Sequence, residues 1–472
     1  MLTDWQLERL CAMAYFDELV NRFPGGRLGR VAFSLLNGGF GGLELPAAMT
    51  ETDWRRVMSD IQNDAALRTL TVVRSSDIAF GTRAIALGDR AGSVYAVFRG
   101  TSGDGEWLDN ALGMTQAETA QQQAAARFIN ELRKRAGKRR IVVAGHSKGG
   151  NKAQYVTVTT PWVEHCFSLD GQGFSPDFLT KYKKEIAERK TRVTLAAERR
   201  GFVNCLGLYL HDGASFYAGR RADPYPGHPY GDALPFFHCP DSLRGKDGEI
   251  GAQSFQNPIP ESLNRLIKYF LTEPKYAAGR KETATGLVSL MMENKSASGD
   301  NIAKALVEIC VVFMDLVCSD SAFREKADAV FTDETVTMLA TFETVIHTQK
   351  SDEPSSLLSL FAEQFSKRVE TDKEARGNFF RSLKYLALLV MRIFMEPEVE
   401  NAILDHIFWF IGKLLKHLAD ILAGGVKTAL IPSLWNTLHA QTRGEKCLTC
   451  TKEERDSHFG KMLTHLDGCA EA

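Results

Sequence analysis

The sequence predicts an α/β fold, built on a mostly parallel central sheet and followed by a C-terminal all-α domain. Three observations carry that prediction. Short β-branched runs alternate with helical periods between about residues 69 and 210. One of those runs, Ile141-Val142-Val143-Ala144, leads into Gly145-His146-Ser147-Lys148-Gly149 and then into a helix-compatible segment. From about residue 260 strand signals stop and helical periods take over. With 472 residues the chain exceeds one ordinary domain. The expected divisions are an α/β domain at 1–260, a helical domain at 261–440 and a polar tail with Cys and His at 441–472.

Residues 1–66 read as helical, with Leu7, Leu10, Met13 and Phe16 spaced for one buried face. Residues 69–73 form a short β-branched run. Runs at 79–87 and 93–98 flank Gly88-Asp89-Arg90-Ala91-Gly92, which predicts a hairpin. Residues 121–134 read as a helix that buries Ala125, Phe128, Ile129 and Leu132. Strands are expected at 141–144, 164–169 and 192–196, with a helix around 176–189 and a further strand at 203–210. This alternation is what places helices on the faces of a parallel sheet. In the C-terminal half, Ile302, Leu306, Ile309, Phe313 and Leu316 form an apolar stripe, and two more helices are expected at 383–395 and 403–422. Residues 351–356 read as a loop, and Glu396-Pro397 separates the last two helices, because a proline disfavours helix in the residue before it.

Hydrophobic residues make up 44% and charged residues 24%, the balance of a globular chain, and the formal net charge of −1 excludes bulk attraction to nucleic acid. The cysteines number nine and are scattered, and residues 1–10 lack the apolar core of a secretory signal, so a cytoplasmic protein with free thiols is expected. The most apolar stretches, 383–395 and 403–422, are interrupted by Lys384, Arg392, Asp405, Lys413, Lys416 and Asp420, so no membrane span is expected.

A Gly-x-Ser-x-Gly between a strand and a helix is the context of the nucleophile elbow of an α/β-hydrolase fold. Gly145 and Gly149 let the backbone close, and Ser147 is presented near the positive end of the following helix. A serine hydrolase also needs amide donors for the developing oxyanion. Lys148, directly after the nucleophile, supplies one. Thr101, in Val97-Phe98-Arg99-Gly100-Thr101 at the end of a predicted strand, supplies the other, and its hydroxyl a third.

The series Phe98-Arg99-Gly100-Thr101, Trp107-Leu108-Asp109-Asn110, Gly145-His146-Ser147-Lys148-Gly149-Gly150-Asn151 and Asp170-Gly171-Gln172-Gly173-Phe174 resembles a known group. It is the bacterial lipase-like α/β-hydrolases long catalogued as a domain of unknown function, the Mbeg-like group, relatives of the fungal or class 3 lipases. The resemblance spans about residues 5 to 240 and implies esterase or lipase activity.

The base is sought among the histidines after the elbow. His211 lies in a predicted strand and reads as a core residue. His228, in Pro226-Gly227-His228-Pro229-Tyr230, sits in a loop where the group's Gln-His-Asp-type motif would fall, with Gly227 and Pro229 in place of its neighbours. It is the expected base, and His238 is the alternative. His146 is read as structural. For the acid, Asp170 matches the group's Asp-Gly-Pro-Gly, with Gln172 in place of the proline, and is favoured over Glu198 at the end of the following strand. Segment 101–115, with Gly103 and Gly105 before Trp107, Leu108, Leu112 and Met114, reads equally as a lid or as a loop packed on the core.

Cys447, Cys450, His458, His465 and Cys469 match no standard zinc spacing, so no metal is expected. The basic run at 133–140 reads as a solvated helix end and turn. The sequence thus predicts a Ser147–His228–Asp170 serine hydrolase, a carboxylesterase or lipase for an acyl ester or lipid, that needs no cofactor. The apolar helices of the C-terminal half are candidates for peripheral membrane contact, a homo-oligomer interface or a protein partner. The competing reading is a catalytically inactive hydrolase-fold scaffold whose helical half binds a protein partner.

Overall fold

The computed structural model describes residues 1–38, 40, 45–47, 49–75, 82–101, 104–211, 213–219, 237–245, 248–291, 299–324 and 356–395, together with 464, 467, 468, 470 and 471. The described chain divides into two compact units, Met1–Val288 and Ser289–Ala472.

The first unit begins with helices α1 (Asp4–Met13), α2 (Asp17–Asn21), α3 (Leu28–Gly38), α4 (Glu51–Asn63) and α5 (Ala65–Thr69). Thr3 starts α1 with a capping box: its hydroxyl accepts from the Gln6 amide, and the Gln6 side chain accepts from the Thr3 amide. Thr50 and Asp53 do the same for α4.

The sheet runs β1 (Thr71–Ser75), β2 (Ala84–Gly88), β3 (Ser93–Phe98), β4 (Arg140–His146), β5 (Val163–Leu169), β6 (Val193–Glu198), β7 (Ser215–Ala218) and β8 (Ala252–Ser254), side by side in sequence order. Strands β3 to β7 are parallel neighbours, and antiparallel pairs close both edges. The β2–β3 hairpin forms as expected: Gly92 takes φ 84°, and the Asp89 side chain accepts from the Ser93 amide at 2.7 Å. Between the parallel strands lie α6 (Asp104–Thr115), α7 (Ala120–Ala136), α8 (Lys148–Thr159), α9 (Pro176–Lys181) and α10 (Lys183–Arg189).

The strand period of two divides each central strand between two buried faces. Tyr95, Val97, Val142, Ala144, Phe167 and Leu169 face the N-terminal helices, where Leu7, Leu10, Trp54 and Ile61 cover them. Val94, Ala96, Phe98, Ile141 and Val143 face the other way, against Phe128, Ile129 and Leu132 of α7 and Val156 of α8. Both faces are covered, so the sheet edge above the strand ends is left for a site.

One expectation changes, and the helix end and turn expected at 133–140 is found. Residues 203–210 form no strand: Val203–Cys205 is a 3-10 turn, and Leu208 makes an isolated bridge with Phe174. The basic run is a helix end: α7 stops at Ala136, Gly137 turns the chain at φ 61°, and Arg133 donates to the Arg139 carbonyl at 3.0 Å. After β8, α11 (Pro258–Thr272) falls within the first unit, beyond the boundary expected at 260.

The second unit contains α13 (Gly299–Ser319), α14 (Ser356–Thr371) and α15 (Lys373–Met395), following α12 (Arg280–Met291). Val307, Val311 and Met314 pack against Phe365, Val369, Ala375 and Phe379. Of the predicted stripe, Ile302 and Leu316 are buried, whereas Phe313 is 45% exposed. Among the described residues no helix is long and apolar enough to cross a membrane. Residues 403–422 and the Cys447–Cys450 segment lie outside the described residues.

Candidate active site

Ser147 sits between β4 and α8 with φ 60° and ψ −127°, a left-handed conformation rare for a residue with a Cβ. A strain of this kind costs on the order of 1–3 kcal/mol and is held only by surrounding contacts. Here the glycines allow it. A Cβ on Gly145 would lie 2.2 Å from the Gly149 carbonyl group, and one on Gly149 would lie 2.1 Å from the Phe98 carbonyl oxygen. The Ser147 amide donates to the Leu169 carbonyl at 3.0 Å. The serine is thereby raised at the C-terminal end of a parallel strand, where sites of open α/β sheets lie.

Asp170 follows β5 on the same sheet edge, fully buried, also with positive φ (41°). Its Oδ1 accepts from the Asn204 amide at 3.0 Å and from Asn204 Nδ2 at 2.6 Å. Its Oδ2 meets His238 Nδ1. Burial raises the carboxyl, but the His238 charge and the hydrogen bonds from His238 and Asn204 outweigh it, so the group is held below the ordinary carboxylate range. The His238 ring lies against that of His146, the neighbour of the serine, tilted by 34° with centroids 4.6 Å apart. Glu198 is occupied elsewhere: Arg200 Nη2 and Nε donate to its Oε1 at 2.6 and 3.0 Å, and the Arg200 amide to Oε2 at 2.6 Å. The same guanidinium lies 3.8 Å from the Phe237 ring centroid, next to His238. His211 is spent on the Val193 carbonyl at 3.2 Å.

On the other side of the serine stand the end of β3 and α6. The loop after β3 abuts the serine, and a Cβ on Gly100 would lie 3.2 Å from Ser147 Cβ. Thr101 Oγ1 accepts from Asn110 Nδ2 at 3.1 Å, an arrangement that leaves its hydroxyl proton able to donate. Lys148 opens α8, where the first amides of a helix have no internal partner. Its side chain runs the other way, buried, with Nζ 2.7 Å from Asp109 Oδ2 and 3.1 Å from the Asp109 carbonyl. Burial lowers its pKa against the opposing pull of Asp109. Gln172 Nε2 donates to the Asn110 carbonyl at 2.6 Å. Segment 101–115 is thus mostly a helix pinned at Asp109 and Asn110, with Met114 buried and Leu108 46% exposed.

Residues 71–198 match the model of the Mbeg1-like family. Among solved structures, the chain is similar to the native Rhizomucor miehei lipase propeptide complex, at 12% identity over 53% of this chain and 81% of that one, TM-score 0.29. It is likewise similar to a deletion mutant of the same complex, at 13% identity over 53% of this chain and 79% of that one, TM-score 0.30. No curated protein matches the chain.

Within the Mbeg1-like segment, the Lys148-Gly149-Gly150-Asn151 extension has a physical reason. Asn151 is fully buried, accepts from Gln122 Nε2 at 2.9 Å, and donates to the Gln172 and Gly173 carbonyls at 3.2 and 3.0 Å. It locks the turn after Asp170 to the starts of α7 and α8. Gly150 is required because a Cβ there would meet Ser168 Oγ at 2.6 Å.

Of the expected site residues, Ser147, Asp170, Thr101 and Lys148 lie on one sheet edge. His228 lies outside the described residues, and the imidazole that meets Asp170 is that of His238. No hydrogen bond joins Ser147 Oγ to an imidazole among the described residues. Sequence reasoning missed Asn204 altogether, and nothing near it in the chain marks it.

Proposed function

We propose that the protein is a serine hydrolase of α/β-hydrolase type, a carboxylesterase or lipase acting on an acyl ester. The observation that carries this is the strained Ser147 elbow on the sheet edge where a buried carboxylate, Asp170, already holds an imidazole. With Asp170 Oδ2 accepting from Nδ1–H, the His238 lone pair is on Nε2, the atom a base must offer. In the proposed reaction Ser147 Oγ attacks the acyl carbonyl as His238 Nε2 takes its proton. The Lys148 and Thr101 amides, with the Thr101 hydroxyl, hold the oxyanion. His238 returns the proton to the departing alcohol, and water then releases the acyl group by the reverse sequence. None of these steps calls for a cofactor. This reading takes His238 as the base, in place of His228.

The test is labelling by a fluorophosphonate probe. Wild-type protein is expected to label at Ser147, and Ser147→Ala to lose the label. A folded wild type that stays unlabelled would sink the proposal. The scaffold reading draws on one observation, that among the described residues no hydrogen bond joins Ser147 to an imidazole. Such bonds are often long before substrate binds, so the enzyme reading is preferred.

A further inference from the structure

We propose that Tyr15 and His146 are positioning residues for His238: a one-way hydrogen-bond relay that fixes the backbone carrying the base and so the height of its ring above Ser147. The proposal rests on the serine-hydrolase reading and names residues of that same site.

His146 is the last residue of β4 and only 2% exposed. Both ring nitrogens are engaged. Nδ1 lies 2.7 Å from the Tyr15 hydroxyl, and Nε2 lies 2.6 Å from the main-chain carbonyl oxygen of His238. The direction of each bond follows from chemistry. A carbonyl can only accept, so Nε2 carries a proton. Burial first, and the neighbouring His238 second, lower the His146 pKa to about 3, so the ring is neutral and has one proton to give. Nδ1 is then a lone pair, and the Tyr15 hydroxyl must donate to it. Burial also raises the Tyr15 pKa, which keeps that proton in place. The relay therefore has one allowed sense, from Tyr15 through His146 to the His238 carbonyl.

The consequence falls on the base. His238 lies in a turn, outside the strands, and is gripped at two points: its ring by Asp170 and its carbonyl by His146. Its ring packs between His146 and Phe202, with centroids 4.6 and 5.7 Å away. The relay also touches the oxyanion side, because a Cβ on Gly100 would fall 2.3 Å from the Tyr15 hydroxyl. One phenol of the N-terminal layer thus lies against both the nucleophile's neighbour and the oxyanion loop. Without its hydroxyl, Nδ1 is a buried lone pair with no donor, and the His146 ring is held only at Nε2 and can tilt. The carbonyl grip on the base is then loosened. A misplacement of about 1 Å in a catalytic group costs on the order of 100-fold in rate.

The experiment compares Tyr15→Phe, His146→Leu and His146→Gln in the full-length protein. The readouts are the fluorophosphonate labelling rate and kcat and KM on a short-chain p-nitrophenyl ester. Glutamine places an amide N–H and a carbonyl oxygen about where the two ring nitrogens lie, so it can restore the relay. Expected are a fall in kcat of roughly 100-fold for His146→Leu and tenfold for Tyr15→Phe, KM within twofold, and recovery by His146→Gln to within about fivefold of wild type. Histidine nitrogen resonances should show a neutral, Nε2-protonated ring that His146→Gln removes. If His146→Leu does not fold, Tyr15→Phe and His146→Gln decide. Folded variants that label as fast as wild type, or a His146 ring protonated on Nδ1, overturn the relay alone. A wild type that never labels overturns the reaction itself and the positioning role with it.

Discussion

Asp170→Asn should abolish most activity while leaving the fold standing, and the geometry says why. Asp170 Oδ1 receives two donors, the amide and the Nδ2 of Asn204, so that position must keep an acceptor. In the variant the amide oxygen is held there, and the amide NH2 is directed at His238 Nδ1. A donor facing Nδ1 forces the lone pair onto it and the ring proton onto Nε2. The imidazole then presents N–H to Ser147 and cannot accept its proton. In a serine-protease triad the wrong tautomer lowers kcat about 10⁴-fold, which is about 5 kcal/mol at 1.36 kcal/mol per tenfold. The variant keeps the Asn204 contacts and exchanges only the charge-assisted one, so stability should fall by no more than about 1–3 kcal/mol. The assay is the second-order rate of fluorophosphonate labelling, with a thermal melt on the same sample. Glu198→Gln is the comparison, because that carboxylate is closed off by Arg200. Asp170→Asn labelling within tenfold of wild type, or an equal loss in Glu198→Gln, would refute the assignment of the acid and the tautomer argument together.

Two further outcomes test the frame that holds the site. Lys152, on α8, is fully buried, and among the described residues its Nζ has no hydrogen-bond partner; burial lowers its pKa from 10.5 to about 8. That difference of about 2.5 units, at 1.36 kcal/mol each, is a destabilisation of roughly 3 kcal/mol while both states are protonated. Between pH 8 and 10.5 the unfolded chain binds more protons than the folded one, so wild-type stability should rise with pH there. Lys152→Met should gain about 2–3 kcal/mol in urea unfolding at pH 7, and the gain should vanish by about pH 10.5; a pH-independent gain would show another cause. Gly149→Ala should lower the melting temperature markedly, by roughly 3 kcal/mol or more of lost stability, because its Cβ would strike the Phe98 carbonyl oxygen at 2.1 Å; a wild-type melt would mean the elbow relaxes freely.

What could be read from the chain was what is local. The elbow, the hairpin at Gly88–Gly92 and the end of α7 each depend on a few adjacent residues with special backbone freedom, and each appears where the residues place it. The choice between Asp170 and Glu198 depended on a near neighbour. Arg200 is two residues from Glu198 and closes over it, which the Glu-Arg-Arg string shows but does not rank. The partial match on α13 has a different cause. Apolar residues occur on more than one side of that helix: Ile302 and Leu316 of the predicted stripe are buried, but the packing on α14 and α15 uses Val307, Val311 and Met314 and leaves Phe313 exposed. Strands β7 and β8 have four and three residues, too few for a pattern to repeat.

The histidine was the hardest case. His228 stands among prolines and a glycine that announce an exposed turn, whereas Phe237-His238-Cys239 announces nothing; its meeting with Asp170 joins positions 68 residues apart. The same separation marks a division within the site. The segment matching the Mbeg1-like family, 71–198, contains Ser147, Asp170, Thr101 and Lys148. It contains neither His238, nor Asn204 that holds the acid, nor Tyr15 that braces the base through His146. The elbow, the proposed oxyanion donors and the proposed acid thus lie in one stretch of sequence, and the imidazole that meets Asp170 comes from one flanking segment and Tyr15 from the other. On the proposed reading, turnover therefore depends on how the flanking segments that carry Tyr15, Asn204 and His238 meet the sheet edge, and the Gly-x-Ser-x-Gly motif is silent on that.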